Sequence, residues 1–323
     1  MAGGQERALR RRIRTIEATK KITRAMELIA ASQIPRARAR IAGSLPYVEG
    51  IETVLAKTAA EASGATRLLG TPERPEKALV VAIVGDRGQA GAYNSNVLRA
   101  TERLVNAASS NGLHYEIVSV GRKAISYFRF RDKPVTKSFV GMSDRPNFEH
   151  ARAIAAEVTG PFLSGEVDLV QLISTRYRSA GVQVVETRQL LPLPVAAEPI
   201  EEELAVHIGD ESAAGGGFYD FEPSPEDLLE LLVPRYAEAV LYRALLEASV
   251  SEHTARQRAM AAATENAEDL MVQYRRELNR ARQESITTEI MEIVSGAEAL
   301  RNTERTLLDV DALFSEMNQE QTA

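Results

Sequence analysis

Apolar residues recur three and four apart at Leu9, Ile13 and Ile16, and again at Ile22, Met26 and Ile29, so residues 4–63 are predicted to be helical. Pro35 and Pro46 fall inside that stretch. An interior proline removes a backbone donor and clashes with the preceding turn, at about 3 kcal/mol or more unless the helix bends, so kinks are expected near both. From residue 76 to 193 the period changes. Strand-like runs at 78–84, 115–120, 168–175 and 182–190 alternate with helical ones at 98–108, 122–128 and 148–162, the pattern of an α/β unit. Ser179-Ala180-Gly181 joins the last two strands.

The helical period returns at residue 225. Ser224, Pro225, Glu226 and Asp227 form a start signal: an N-cap, a proline at the first position and acids facing the helix dipole. Only Pro234 and Gly296 interrupt the stretch up to residue 317. At 1.5 Å per residue it would reach ~135 Å, too long for a domain of this size to bury. A 4-3 spacing at Ile286, Ile290, Ile293, Ala297, Leu300, Leu307 and Phe314 predicts a coiled coil, with the N-terminal helix as its natural partner. The expected divisions are 1–63, 76–195, 196–224 and 225–323: helix, compact sheet domain, acidic loop, helix.

Composition narrows the chemistry. With no Cys there can be no disulfide framework, thiol nucleophile or Cys-ligated metal. The four histidines, His114, His150, His207 and His253, have no ligand-like spacing, so neither metal nor cofactor is expected. The longest apolar run, 78–84, falls far short of the ~20 residues that span a bilayer, and no apolar stretch follows the basic N-terminus as a secretory signal requires. No nucleophile elbow, metalloprotease helix or kinase signature is present, and an enzyme acting through this chain alone is not expected.

One turn invites a nucleotide reading. Gly85, Gly88 and Gly91 follow the first strand and could cradle a phosphate, but G-x-x-G-x-x-G is neither the dinucleotide fingerprint nor the P-loop, and a plain strand-to-helix turn is the competing reading. Charge says more. The chain carries a net charge of −6, yet residues 5–40 hold eleven basic side chains against Glu6, Glu17 and Glu27. Such asymmetry implies an acidic or polyanionic partner. Nucleic acid is the rival partner, although that stretch lacks the aromatics that stack bases. Arg256 and Arg258, then Arg280, Arg282 and Gln283, sit among small residues, which suits either a contact that forms and breaks or the solvent face of a purely structural coiled coil. Residues 196–232 contain eleven acids and no Lys or Arg, either a solvated face or a regulatory segment.

The run from Gly4 to Ser32, with Gln5-Glu6-Arg7 and Thr19-Lys20-Lys21-Ile22-Thr23-Arg24-Ala25-Met26, resembles the opening helix of the F-type ATP synthase gamma subunit. Asp86-Arg87-Gly88 with Gly91-Ala92-Tyr93-Asn94 is similar to that family's first sheet turn, and Asn279 through Ala299 to its closing signature. The resemblance implies an α+α/β fold: a long antiparallel coiled coil of N- and C-terminal helices with an inserted Rossmann-like α/β domain at its foot. It implies a non-catalytic rotor inside an alpha3-beta3 hexamer, with the epsilon subunit and the membrane c-ring as further partners, at the cytoplasmic face of the cell membrane. Residue by residue, Arg282 and Gln283 match the pair that touches a beta-subunit loop, and Arg24 and Met26 face the ring. Tyr219, Phe221 and Glu222 match the foot segment near epsilon and the c-ring. The resemblance leaves the acidic loop as a candidate brake on hydrolysis.

Overall fold

The computed structural model describes residues 2–62, 67–70, 74–110, 112–193 and 222–320, without the side chains of 2, 3, 300 and 302–320. The chain divides into two units, residues 1–24 with 262–323, and residues 25–261. Two helices pass through both: α1, Ala2–Glu61, and α5, Pro225–Glu320. Pro35 and Pro46 lie within α1 without ending it, and α5 begins where its start signal lies, with the Asp227 amide donating to Ser224 Oγ at 3.3 Å.

The second unit carries a five-stranded sheet. Its elements are β1 (Lys77–Ile83), α2 (Tyr93–Ser109), β2 (His114–Val120), α3 (Arg122–Phe130), β3 (Val135–Phe139), α4 (Phe148–Ser164), β4 (Leu169–Tyr177) and β5 (Gln183–Leu191). The order is β3-β2-β1-β4-β5, parallel except for β5, which pairs antiparallel with β4. Each strand lies within two residues of its predicted place, but β3 goes unpredicted. Its side chains are mostly exposed, so Val135-Thr136-Lys137-Ser138-Phe139 lacks an apolar signature, and pairing with β2 makes it a strand.

Alternation along β1 builds two cores. Leu79, Val81 and Ile83 point toward α1, α4 and α5, where Val48, Ile51, Leu55, Ile154, Phe162, Leu241 and Leu245 are buried. Val80, Ala82 and Val84 point the other way, beneath α2 and α3, with Val97, Leu98, Ala124 and Phe128. The chain winds outward from β1 to β3 on one side and crosses through α4 to β4 on the other. The junction of β1 and β4 is therefore the switch point, where open α/β sheets ordinarily hold a ligand.

Candidate functional site

In the first unit, α1 and α5 pair antiparallel. The buried hydroxyls of Thr23 and Thr264 lie 2.8 Å apart, Lys20 Nζ is 2.7 Å from Glu268 Oε1, and the Arg12 guanidinium stands 5.8 Å over the Tyr274 ring. Along this stretch of α5 the least exposed positions are Thr264, Ala267, Met271, Tyr274, Leu278, Ala281 and Ser285, an unbroken alternation of three and four. This is a coiled-coil seam. On α1 the matching sevenfold row runs Leu9, Ile16, Thr23 and, within the second unit, continues as Ala30, Ala37, Ser44, Ile51 and Thr58. A strict seven-residue period keeps one face turned to the partner as the helices coil left-handed.

Two sequence expectations change here. The stripe Leu9, Ile13, Ile16 faces the seam, but its continuation does not: Ile22 and Ile29 are 60% and 62% exposed and Met26 is half-buried. Thr23 and Ala30 take the seam positions, because small side chains let the helices close and leave their larger neighbours outside. Likewise, the 4-3 series beginning at Ile286 is not a seam. Ile286, Ile290 and Ile293 are 46%, 55% and 70% exposed among the described residues. The Leu300, Leu307 and Phe314 side chains lie outside the described residues.

The predicted contact residues fall at separate levels. Arg24 is exposed directly after Thr23, whereas Arg282 and Gln283 are exposed just past Ala281. Seventeen residues separate Thr264 from Ala281, roughly 26 Å of helix. Gln283 lines a shallow surface depression with Arg280, Glu284, Thr287 and Thr288. Arg7, Arg10, Arg11, Arg12 and Arg14 on α1 and Arg275, Arg276, Arg280 and Arg282 on α5 share one stretch of the pair, all exposed, against Glu6, Glu277 and Glu284. Of the foot residues, Glu222 is exposed, and Tyr219 and Phe221 lie outside the described residues, as does the acidic loop through residue 217.

The second unit settles what the glycine turn does. The Gly85 amide donates to Asn94 Oδ1 at 2.8 Å and the Asp86 amide to Ser143 Oγ at 2.9 Å, so the first two donors of the turn are used internally. The Asp86 carboxylate accepts the amides of Arg122, Gly141 and Ser143, joining three loops. Partial burial pushes its pKa up, but those amides outweigh it and hold it below the ordinary value. The space above Gly85 belongs to α5: a Cβ there would stand 2.7 Å from Glu252 Oε1. Glu252 is 2% exposed and pairs with Arg256 at 2.5 Å, and Arg256, 7% exposed, donates to the Gly88 carbonyl at 3.3 Å. Burial and the adjacent Glu252 push the Tyr93 hydroxyl well up.

A phosphate cannot share this crevice with a buried carboxylate, so the nucleotide reading loses its site. Arg256, which the sequence placed on an exposed contact face, is buried, while Arg258 is exposed and reaches Gln183 Oε1. Sequence reasoning missed Glu252, His253 and Ser249, whose hydroxyl donates to the Asp144 carbonyl at 3.1 Å. Their one signal was the run Ser249 to Arg256, polar at six of its eight positions, after the Leu- and Ala-rich start of the helix. Among the described residues no group of three or more His, Asp or Glu could hold a metal, and no helix is long and apolar enough to cross a membrane.

A family model described as ATP synthase matches residues 5–300. The chain is 47% identical over 305 residues to the ATP synthase gamma chain of Parafrankia sp. (strain EAN1pec), covering 92% of this chain and 98% of that one. It is 38% identical over 302 residues to the ATP synthase gamma chain of Streptomyces coelicolor, covering 92% and 97%. Among solved structures, the Tetrahymena thermophila mitochondrial ATP synthase central stalk and c-ring contains a chain 25% identical, with a TM-score of 0.56, covering 75% of this chain and 99% of that one. A Euglena gracilis mitochondrial ATP synthase chain gives 0.64 at 19% identity, covering 94% and 96%, a likeness of fold.

Proposed function

Because the chain belongs to the ATP synthase gamma chain family, the central stalk of F-type ATP synthase, we propose that it is the rotor coupling proton flow through the membrane sector to ATP synthesis and hydrolysis. In this reading catalysis resides on the beta subunits of the alpha3-beta3 hexamer. The chain contributes no catalytic group. One observation carries the proposal: past Ser285, α5 continues as a single helix whose Ile286, Ile290, Met291, Ile293 and Val294 are 46–70% exposed. Fully burying such a side chain is worth about 1.5–3 kcal/mol, so this segment is built to be enclosed.

An enclosing ring of three like partners would meet a different face of the helix on each side. The row of Arg at 275, 276, 280 and 282 gives that face a charge that an acidic loop can follow. Swinging a partner site from 1:99 to 99:1 takes ~5.5 kcal/mol of differential contact, within reach of a few apolar side chains and ion pairs. Arg282 and Gln283 are the proposed beta-loop contacts, with Arg24 and Met26 at the second level. Glu222, with Tyr219 and Phe221, is assigned to the foot against epsilon and the c-ring, at the cytoplasmic face of the membrane, and the acidic loop 196–217 to control of hydrolysis.

The absence of Cys makes the test direct. Arg282→Cys, joined by oxidation to a Cys placed in a beta-subunit loop of the assembled complex, is expected to stop ATP turnover, and reductant to restore it. A fully cross-linked complex that keeps turning over at its reduced rate refutes the rotor reading.

A further inference from the structure

The α2–α3 face of the second unit is cationic in a chain that is acidic overall. Between them α2 and α3 carry Arg99, Arg103, Arg122, Lys123 and Arg129 against the single acid Glu102. That acid is already engaged: the Tyr127 hydroxyl donates to it at 2.7 Å and Arg131 lies 3.4 Å away. Asp132 is the remaining carboxylate in the adjoining turn, beside Arg131 and Lys133. Arg122 and Lys123 occupy the first turn of α3, where cations oppose the helix dipole and the Asp86 carboxylate, which accepts the Arg122 amide, offsets part of their charge.

Where α3 ends, Phe130 is 83% exposed, between Arg129 and Arg131. It is the one large apolar side chain of α2 and α3 that stands exposed; Leu98, Val105 and Phe128 turn inward to the sheet. A protein partner would ask for an apolar patch to seat a packed interface core, and α2 and α3 expose no large apolar side chain besides Phe130. Bases of single-stranded nucleic acid would ask for several stacking rings. A fluid layer of anionic headgroups needs no shape complement, only dispersed cations and an aromatic that can enter the headgroup level.

We propose that the α2–α3 face binds an anionic lipid surface, with Phe130 entering the headgroup layer between Arg129 and Arg131. This does not depend on the rotor reading. The chain contains no Trp, so F130W in the full chain supplies a single local reporter. With vesicles of equal parts phosphatidylglycerol and phosphatidylcholine, its emission is expected to shift to the blue and to be quenched by acyl-brominated lipid. Raising salt should reverse both effects. Adding Arg129→Gln and Arg131→Gln to the reporter should weaken partitioning roughly thirty-fold, at about a factor of five per cation. The proposal is overturned if the chain sediments with these vesicles while the F130W emission stays at its water value, since the arginine-rich helix pair would then be the binder. It is equally overturned if phosphatidylcholine alone gives the same shift, or if duplex DNA quenches the indole where the anionic vesicles do not.

Discussion

Replacing Glu252 by Leu removes the carboxylate that Arg256 faces at 2.5 Å, in a site where the two side chains are 3% and 9% exposed. The guanidinium would keep only the Gly88 carbonyl, at 3.3 Å, as an acceptor. Breaking one side of a buried pair typically costs about 3–5 kcal/mol, because the surviving charge stays desolvated and uncompensated. The same reasoning predicts the opposite for the double change Glu252→Leu with Arg256→Met. Removing both charges and filling the space with apolar atoms should bring stability back to within about 1 kcal/mol of the starting protein or above it. Urea unfolding followed by near-ultraviolet circular dichroism reads this through Tyr93, which is buried beside the pair. At a slope of ~3 kcal/mol per molar, the single variant should lower the midpoint by about 1–1.7 M and the double variant should restore it. A Glu252→Leu protein within about 0.2 M of the original, or a double variant no better than the single, would show that water, not Glu252, solvates Arg256.

Asp86→Ala leaves three backbone amides without their acceptor and should cost about 2–3 kcal/mol in the same assay. Because the native pKa of Asp86 lies below its ordinary 3.8, its stabilisation is complete above that value and disappears as pH falls through the lower native one; Asp86→Asn should flatten the acid limb of a stability profile. His253 works with the other sign of charge: burial pulls its pKa below 6.5 despite Asp144, so the unfolded chain protonates first and stability declines as pH drops from 6.5 toward the native value. His253→Gln should remove that decline, and a profile identical to the parent would refute the assignment. Gly121 sits at φ +98° with Val84 O 2.2 Å from where a Cβ would go, so Gly121→Ala should yield little soluble protein at a temperature where Gly50→Ala, with open space around it, still does.

How much of this was legible in the chain depended on whether burial was achieved by apolar side chains. The strands β1, β2 and β4 announced themselves because they bury Val, Ile and Leu, β5 showed through its Val pair and the Leu190 and Leu191 it buries, and the α5 start was spelled by Ser224 and Pro225. The coiled-coil seam was misread because its row passes through Thr23, Ala30, Ala37, Ser44 and Thr58, residues no hydrophobicity count selects. Ile22 and Ile29, one position off the row, supplied a stronger but false period. The polar segment of α5 failed for a related reason: Glu252 and Arg256 look like solvated helix residues until Gly85 is seen to make room for them. Glycine spacing alone could not say whether the turn admits a phosphate or a side chain.

The exposed apolar residues carry the final step. A self-sufficient coiled coil places its isoleucines in the seam and its threonines outside; here Thr23 and Thr264 meet at 2.8 Å in the interior while Ile22 remains 60% exposed. Exchanging the roles would bury more apolar surface between the helices and stabilise the pair by about 1 kcal/mol per site at ~25 cal/mol per Å². The sequence forgoes that gain at Ile22 and again along Ile286, Ile290 and Ile293 on α5. A seam of small and polar residues holds the helices in register with modest strength, and the apolar surface is reserved for whatever surrounds them. The two helices therefore divide their labour by position: the sevenfold row fixes their mutual alignment, and the rows beside it present apolar surface that the described residues leave uncovered.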